Sequence, residues 1–247
     1  MAMIEYDRQA AAAFVAGRHL GDDALAAWRE RVAHHLRPTP ATRLLDLGSG
    51  AGHWAAAFSR WYGIDVVAVE PSAAMRAAAE HPTLQGDAAN IPLDDAAVDA
   101  VWLSTVVHHI PDLPAAATEI RRVLRPGGLI LIRSAFAGRT EGVSLFRHFR
   151  EAARILDARF PSVEAVVSAF GTAGCTEIAL EPIPQRTAET LADALATFDR
   201  AAHTPLLLLS DEEYATGLSR LRAADPTEPV IDCLDLLVLR AQGAAHA

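Results

Sequence analysis

Two rhythms of apolar residues alternate along this chain, and they predict an α/β architecture. Short apolar runs read as strands: 44–47 (Leu-Leu-Asp-Leu), 64–70 (Ile-Asp-Val-Val-Ala-Val-Glu), a short one before Asp87, 98–104, 129–132, 175–180 and 230–240. Longer stretches read as helices: one opening at His53, then 115–124, 143–159, 162–173, 187–201 and 211–224. Within 115–124, Ala115, Ala116, Ala117, Ile120, Val123 and Leu124 form an apolar stripe near the helical period. Breakers mark the boundaries: Pro111-Asp112 before that helix, Arg125-Pro126-Gly127-Gly128 after it, and Gly174 after 162–173. Two further helices, 7–17 and 22–36, precede the first strand; Asp22 or Asp23 caps the second. The residues after Arg240 read as a frayed tail.

One domain, 1–247, accommodates this order. Its parts are N-terminal helices in 1–40, a binding core in 41–133, the rest of the sheet in 134–183 and 230–240, and a helical insertion in 184–229. A sheet of this kind does not need the insertion. It reads as a lid over a pocket, with 134–160 as its partner; stabilising padding is the alternative. No linker, repeat or low-complexity stretch divides the chain.

The first strand runs into Gly48-Ser49-Gly50-Ala51-Gly52, and a helix follows. Strand, glycine turn and helix start make the front half of a nucleotide-type site. Glycine serves because the turn visits positive φ and because a ligand approaches bare backbone. The spacing is G-x-G-x-G. The dinucleotide fingerprint needs glycine at 53, which is His53, and no P-loop lysine follows. Asp46 sits just before the turn; a carboxylate there repels a pyrophosphate and suits an ammonium. Glu70 ends the second strand, 20 residues after Gly50, where an acid accepts both hydroxyls of a ribose. The site therefore suits an adenosine-like ligand without phosphates.

With Gly86-Asp87-Ala88, Asp99–His109 and Arg125–Ile132 added in the right order, the chain resembles the class I S-adenosylmethionine-dependent methyltransferases of small molecules. The resemblance covers about residues 40–133. It implies a Rossmann-like, seven-stranded, mostly parallel sheet with flanking helices. It implies S-adenosylmethionine as cofactor and S-adenosylhomocysteine as product. Carried over residue by residue, Asp46, Gly48, Ser49 and Gly50 contact or shape the methionine half. Glu70 holds the ribose, the adjoining Pro71 belongs to the same cofactor site, and Met75 packs near the adenine, with a plain core role as the alternative. Asp87 accepts from the adenine amino group beside the Ala88 backbone, and Ser104 borders the methionine moiety. The N-terminal helices lie over this site, within reach of Tyr6 and Arg18.

Methyl transfer is an in-line displacement whose leaving group departs neutral, so the protein chiefly aligns the reactants in a dry pocket. An acceptor that must lose a proton needs a base. His108 and His109 follow the fourth strand and are the candidates, with the resemblance favouring His109. Neighbouring helical residues point about 100° apart, so only one of the two is expected in the pocket. A structural role for both is the competing reading. Asp112 reads as a cap, Asp94-Asp95 as a turn, and Asp99 as a strand start. His148 and His203 lie outside the shared core and read as surface or core residues, with a place in the lid as the alternative.

Composition narrows the partners. In 247 residues, 51% hydrophobic, the formal net charge is −9, and all 22 basic residues are arginines. That charge disfavours nucleic acid. Arg147, Arg150, Arg154 and Arg159 read as a solvated helix face balanced by Glu151 and Asp157. No apolar run approaches the ~20 residues of a membrane span, and the first residues lack signal-peptide character. Cys175 and Cys233 have no metal-ligand spacing and are expected as buried free thiols. A cytoplasmic monomer or homodimer acting on a small molecule is the expectation, plausibly in specialised metabolism. The alternatives are a S-adenosylmethionine-binding cyclase or pericyclase, a non-catalytic partner subunit, and an NAD(P) oxidoreductase, against which the missing glycine argues.

Overall fold

Alternating strand residues point to opposite faces of a sheet, and the computed structural model, which describes residues 22–243, shows both faces covered. The strands are β1 (Arg43–Leu47), β2 (Asp65–Glu70), β3 (Thr83–Gln85), β4 (Val98–Ser104), β5 (Leu124–Ser134), β6 (Cys175–Ala188) and β7 (Val230–Ala241). They form one seven-stranded sheet in the order β3-β2-β1-β4-β5-β7-β6. Strands β1 to β5 pair in parallel. β7 runs antiparallel between β5 and β6. This is the Rossmann-like, mostly parallel sheet expected.

The longer helices are α1 (Asp22–Leu36), α2 (His53–Tyr62), α4 (Leu113–Val123), α6 (Arg150–Arg159), α7 (Val163–Thr172) and α10 (Asp211–Arg222). The shorter ones are α3 (Ala73–Ala77), α5 (Leu145–His148), α8 (Leu191–Ala196) and α9 (Thr204–Leu207). Leu45, Leu47, Val101, Leu103, Ile130 and Ile132 turn to one sheet face and meet Ile120 and Val123 of α4 and Val166 and Phe170 of α7. Their neighbours Leu44, Ala100, Trp102, Leu129 and Leu131 turn to the other, against Trp28 of α1 and Phe58 of α2. A third core, with Phe149, Leu156, Leu206 and Leu221, belongs to the insertion and α6. The helix expected over 7–17, with Tyr6 and Arg18, lies outside the described residues.

Four elements depart from expectation. The helix expected over 143–159 is two, α5 and α6, broken at Phe149 (φ −107°, ψ 70°). Phe149 is fully buried and stacks on Phe198 and Tyr214, so packing in the insertion's core outweighs helical continuity. The helix expected over 187–201 is shortened and broken in two. Thr187 and Ala188 belong to β6, and Thr190 and Asp199 each cap a separate short helical turn. The third is β6, which runs to Ala188 rather than ending at Leu180, so the insertion starts at 189 rather than 184. Glu177, Glu181, Pro182 and Pro184 hid that strand; an edge strand tolerates charge and proline because one side needs no ladder partner. β5 also begins early, at Leu124, and carries the Arg125–Gly128 segment through with Gly127 at φ 79°.

Candidate active site

The strand order reverses between β1 and β4, which opens a crevice at the carboxyl ends of the parallel strands. A cavity of about 1910 Å³ lies there and extends under the insertion. All twelve residues proposed from the sequence line it: Asp46, Gly48, Ser49, Gly50, Glu70, Pro71, Met75, Asp87, Ala88, Ser104, His108 and His109.

The glycine turn shapes one end. Gly48 has φ 72°, and a Cβ there would sit 2.7 Å from Val106 Cγ2, so any side chain displaces the wall after β4. At Gly50 the space is open, and bare backbone faces the cavity. The Gly48 and Ser49 N–H groups donate to Val69 O at 2.8 and 3.1 Å, which ties the turn to β2.

Asp46 is 1% exposed. Burial drives its pKa up to about 7, the Ala55 backbone N–H holds it down, and the Glu70 charge raises it further. Its Oδ2 is buried with no hydrogen-bond partner among the described residues, and so is Ser49 Oγ. Glu70, 7% exposed, accepts from the Gly50 N–H (3.0 Å) and the Ser72 N–H (2.8 Å). Burial raises its pKa, and the two N–H donors and Arg76 oppose the rise. Asp87 is exposed, and its Oδ1 accepts from the Ala89 and Asn90 N–H groups at 2.8 and 3.0 Å. That closed turn presents Asp87 and the half-buried Ala88 to the cavity. Met75 is 3% exposed, so it serves the core as well as the wall.

Beyond β4 the cavity changes character. Thr105 adopts φ 55°, a conformation that strains a β-branched residue. Its N–H donates to Arg133 O at 2.7 Å, and its hydroxyl donates to Ser104 O at 2.7 Å. The kink leads into a 3-10 turn, Val107–His109. Both histidines line the cavity, against the expectation of one. The His108 ring stacks on Phe160, centroids 3.8 Å apart and planes within 7°, and lies 4.0 Å from the His109 ring.

Asp112 caps α4 through the Ala115 N–H (2.9 Å), as expected. Asp95 pairs with Arg122, and Asp99 with Arg125. Among the described residues no group of three or more metal-ligating side chains occurs. Cys175 is buried and Cys233 half-buried, both free, and burial raises both thiols. Arg150, Arg154 and Arg159 are exposed, yet Glu151 pairs with Arg220 and Arg147 with Glu228, so the expected balancing partners differ. Asp157 accepts from the Gly138 N–H instead.

Several wall residues escaped the sequence reading. Arg133 and Gln185 lie buried at the floor with Trp54 beside them. His148 and His203, read as surface or core, both line the cavity, with apolar neighbours Phe146, Leu156, Leu195 and Phe198. An arginine at the end of an otherwise apolar strand was the one available signal for Arg133.

Fold and cavity together define a nucleoside-type α/β site, and residues 45–132 match the methyltransferase domain family. Over this stretch the chain is similar to the class I S-adenosylmethionine-dependent methyltransferases. Over 124 residues the chain is 38% identical to a malonyl-[acyl-carrier protein] O-methyltransferase of Serratia marcescens, covering 47% of this chain and 49% of that protein. The chain thus spans about half the length of the curated relatives it matches. In fold it is similar to a methyltransferase structure from an antibiotic biosynthesis pathway of Anabaena variabilis (TM-score 0.65, 20% identity, 86% of this chain and 96% of that). It is also similar to the [4+2]-cyclase SpnF (TM-score 0.59, 20% identity, 92% and 84%). No described helix is long and apolar enough to cross a membrane.

Proposed function

We propose that the chain transfers the methyl group of S-adenosylmethionine to a small-molecule acceptor held between the end of β4 and the insertion, releasing S-adenosylhomocysteine. One observation carries this reading. Two buried polar atoms, Asp46 Oδ2 at the end of β1 and Ser49 Oγ in the glycine turn, line the cavity with no hydrogen-bond partner among the described residues. Buried polar groups are rarely left unpaired, and this pair fits the ammonium end of an amino-acid ligand. Glu70 then takes the ribose hydroxyls, its carboxylate held in place by the Gly50 and Ser72 N–H groups. Asp87 and the Ala88 backbone receive the adenine.

The cofactor, when bound, supplies a methyl carbon on a positive sulfonium, from which a neutral thioether departs. The chain's part is alignment and dryness. Ser104 and the strained Thr105 set the wall beyond β4, and the insertion excludes water. His109 accepts the proton of a protonated acceptor. His108, clamped on Phe160, orients it.

Calorimetry tests the cofactor, with S-adenosylhomocysteine binding at about −8 kcal/mol, a micromolar dissociation constant, and no comparable NAD binding. Methyl-labelled S-adenosylmethionine incubated with a metabolite extract tests the reaction. Label found in a product supports transfer. Turnover of an extract component with no label transferred marks a cyclase, and binding without turnover a partner subunit.

A further inference from the structure

One strongly basic group in the cavity wall has no part in the cofactor reading. Arg133, next to last in β5, is 7% exposed and lines the cavity. Its guanidinium carbon lies 5.0 Å from the Trp28 ring centroid and 5.4 Å from that of Trp54. Nη1 donates to Ser104 Oγ at 3.1 Å and Nη2 to Gln185 Oε1 at 2.8 Å. The same Gln185 oxygen accepts from Trp28 Nε1 at 2.9 Å, which fixes the amide. Two indoles and two neutral oxygens thus hold a permanent cation in one orientation. A guanidinium keeps its charge at any working pH, and its planar fork of donors matches a carboxylate.

Resting on the methyl-transfer reading, we propose that Arg133 anchors a carboxylate carried by the acceptor, whose apolar body lies against the insertion. Position assigns the anchor to the acceptor. Asp46, Glu70 and Asp87 lie on β1, at the end of β2 and after β3. Arg133 lies on β5, across β4 from all three, and is tied to β6 at the sheet edge. The same cavity is lined on the insertion side by Phe146, Leu156, Leu195 and Phe198, which suit a hydrophobic body. Cation and apolar wall together select an amphipathic carboxylic acid.

Paired probes test this on the full chain saturated with S-adenosylhomocysteine: 4-phenylbutanoate and its neutral counterpart 4-phenylbutanamide, titrated at pH 8. The acid is expected to bind at least tenfold tighter than the amide. Arg133→Gln is expected to erase that preference and leave S-adenosylhomocysteine affinity within twofold. Gln185→Glu keeps the Trp28 acceptor and sets a competing carboxylate on the guanidinium, so it is expected to weaken the acid tenfold and spare the amide. This second variant and the wild-type comparison stand even where Arg133→Gln does not fold. Equal affinities for acid and amide, or binding of neither, overturn the anchor. So does an Arg133→Gln chain that keeps the preference and loses S-adenosylhomocysteine tenfold, which puts the guanidinium on the cofactor's own carboxylate. A wild type that does not bind S-adenosylhomocysteine overturns the methyltransferase reading as well; one that binds it without telling acid from amide overturns the anchor alone.

Discussion

The two sides of the cavity are built by opposite means. At the glycine-turn end, proposed to hold the cofactor, short contiguous segments do the work: Asp46–Ala51 and Glu70–Met75 supply the turn, the buried carboxylates and much of the backbone. At the opposite end, proposed to hold the acceptor, Arg133, Phe160, Gln185, Leu195 and Asp232 come from separate parts of the chain and meet through packing. Asp232 Oδ1 of β7 accepts from the Ser144 N–H and hydroxyl at 2.8 and 2.6 Å, so this part of the wall too joins residues far apart in sequence. A site made by local backbone geometry is hard to change without losing its ligand. A site made by packing of side chains can change its ligand while the sheet beneath stays put.

The sharpest way to break that comparison uses one glycine from each side. Gly48→Ala puts a Cβ 2.7 Å from Val106 Cγ2 at a positive φ, and should weaken S-adenosylhomocysteine about 100-fold, ~2.7 kcal/mol. Gly217→Ala puts a Cβ 2.2 Å from Phe149 Cδ1 in the insertion's core. It should cost about 1–3 kcal/mol of stability while S-adenosylhomocysteine affinity, read by calorimetry, holds. Equal cofactor losses in both variants would show that the two sides are one cooperative site.

Next in size is the base. His109→Ala should lower kcat by about 10²-fold with cofactor affinity intact. His108→Ala removes the stack on Phe160, and should lower the melting temperature more than the turnover. A reversal of that pattern would exchange their roles.

Glu70→Gln keeps the shape of the side chain and removes its charge. Two charged hydrogen bonds to a ribose weaken, so the dissociation constant of S-adenosylhomocysteine should rise about tenfold. An unchanged constant in a folded variant removes Glu70 from the site.

The smallest effect is a proton count. Asp46 has its pKa raised from 3.8 to about 7 in the folded chain. The unfolded chain loses that proton near its ordinary pKa while the folded chain keeps it. Stability from this group is therefore full below about pH 4 and is lost as pH rises through about 7. A bound ammonium beside Asp46 favours the carboxylate, so cofactor binding near pH 6 should release close to one proton. Calorimetry in buffers of different ionisation heat reads that release, and Asp46→Asn should abolish it. Release unchanged in the variant would place the proton elsewhere.

The sheet, its mostly parallel pairing and the residues lining the glycine-turn end of the cavity were legible because each depends on neighbours in sequence. Buried strands show as apolar runs, and a turn at positive φ shows as glycine. An acid at a strand end shows by its spacing. The edge strand β6 was only half legible, since exposure removes the pattern that burial imposes. The break at Phe149 was invisible, because helical periodicity continues through it and only contact with Phe198, Tyr214 and Gly217 forces the chain to bend. Gln185 carried no local mark, and Arg133 only that of a charge at the end of an apolar strand. They are separated by 52 positions, and their contact at 2.8 Å exists because β5 and β6 flank β7. By itself, then, the sequence determined the sheet and the glycine-turn end of the cavity, where backbone conformation acts within a few residues. Tertiary structure alone decided the opposite end, where distant side chains share one buried volume.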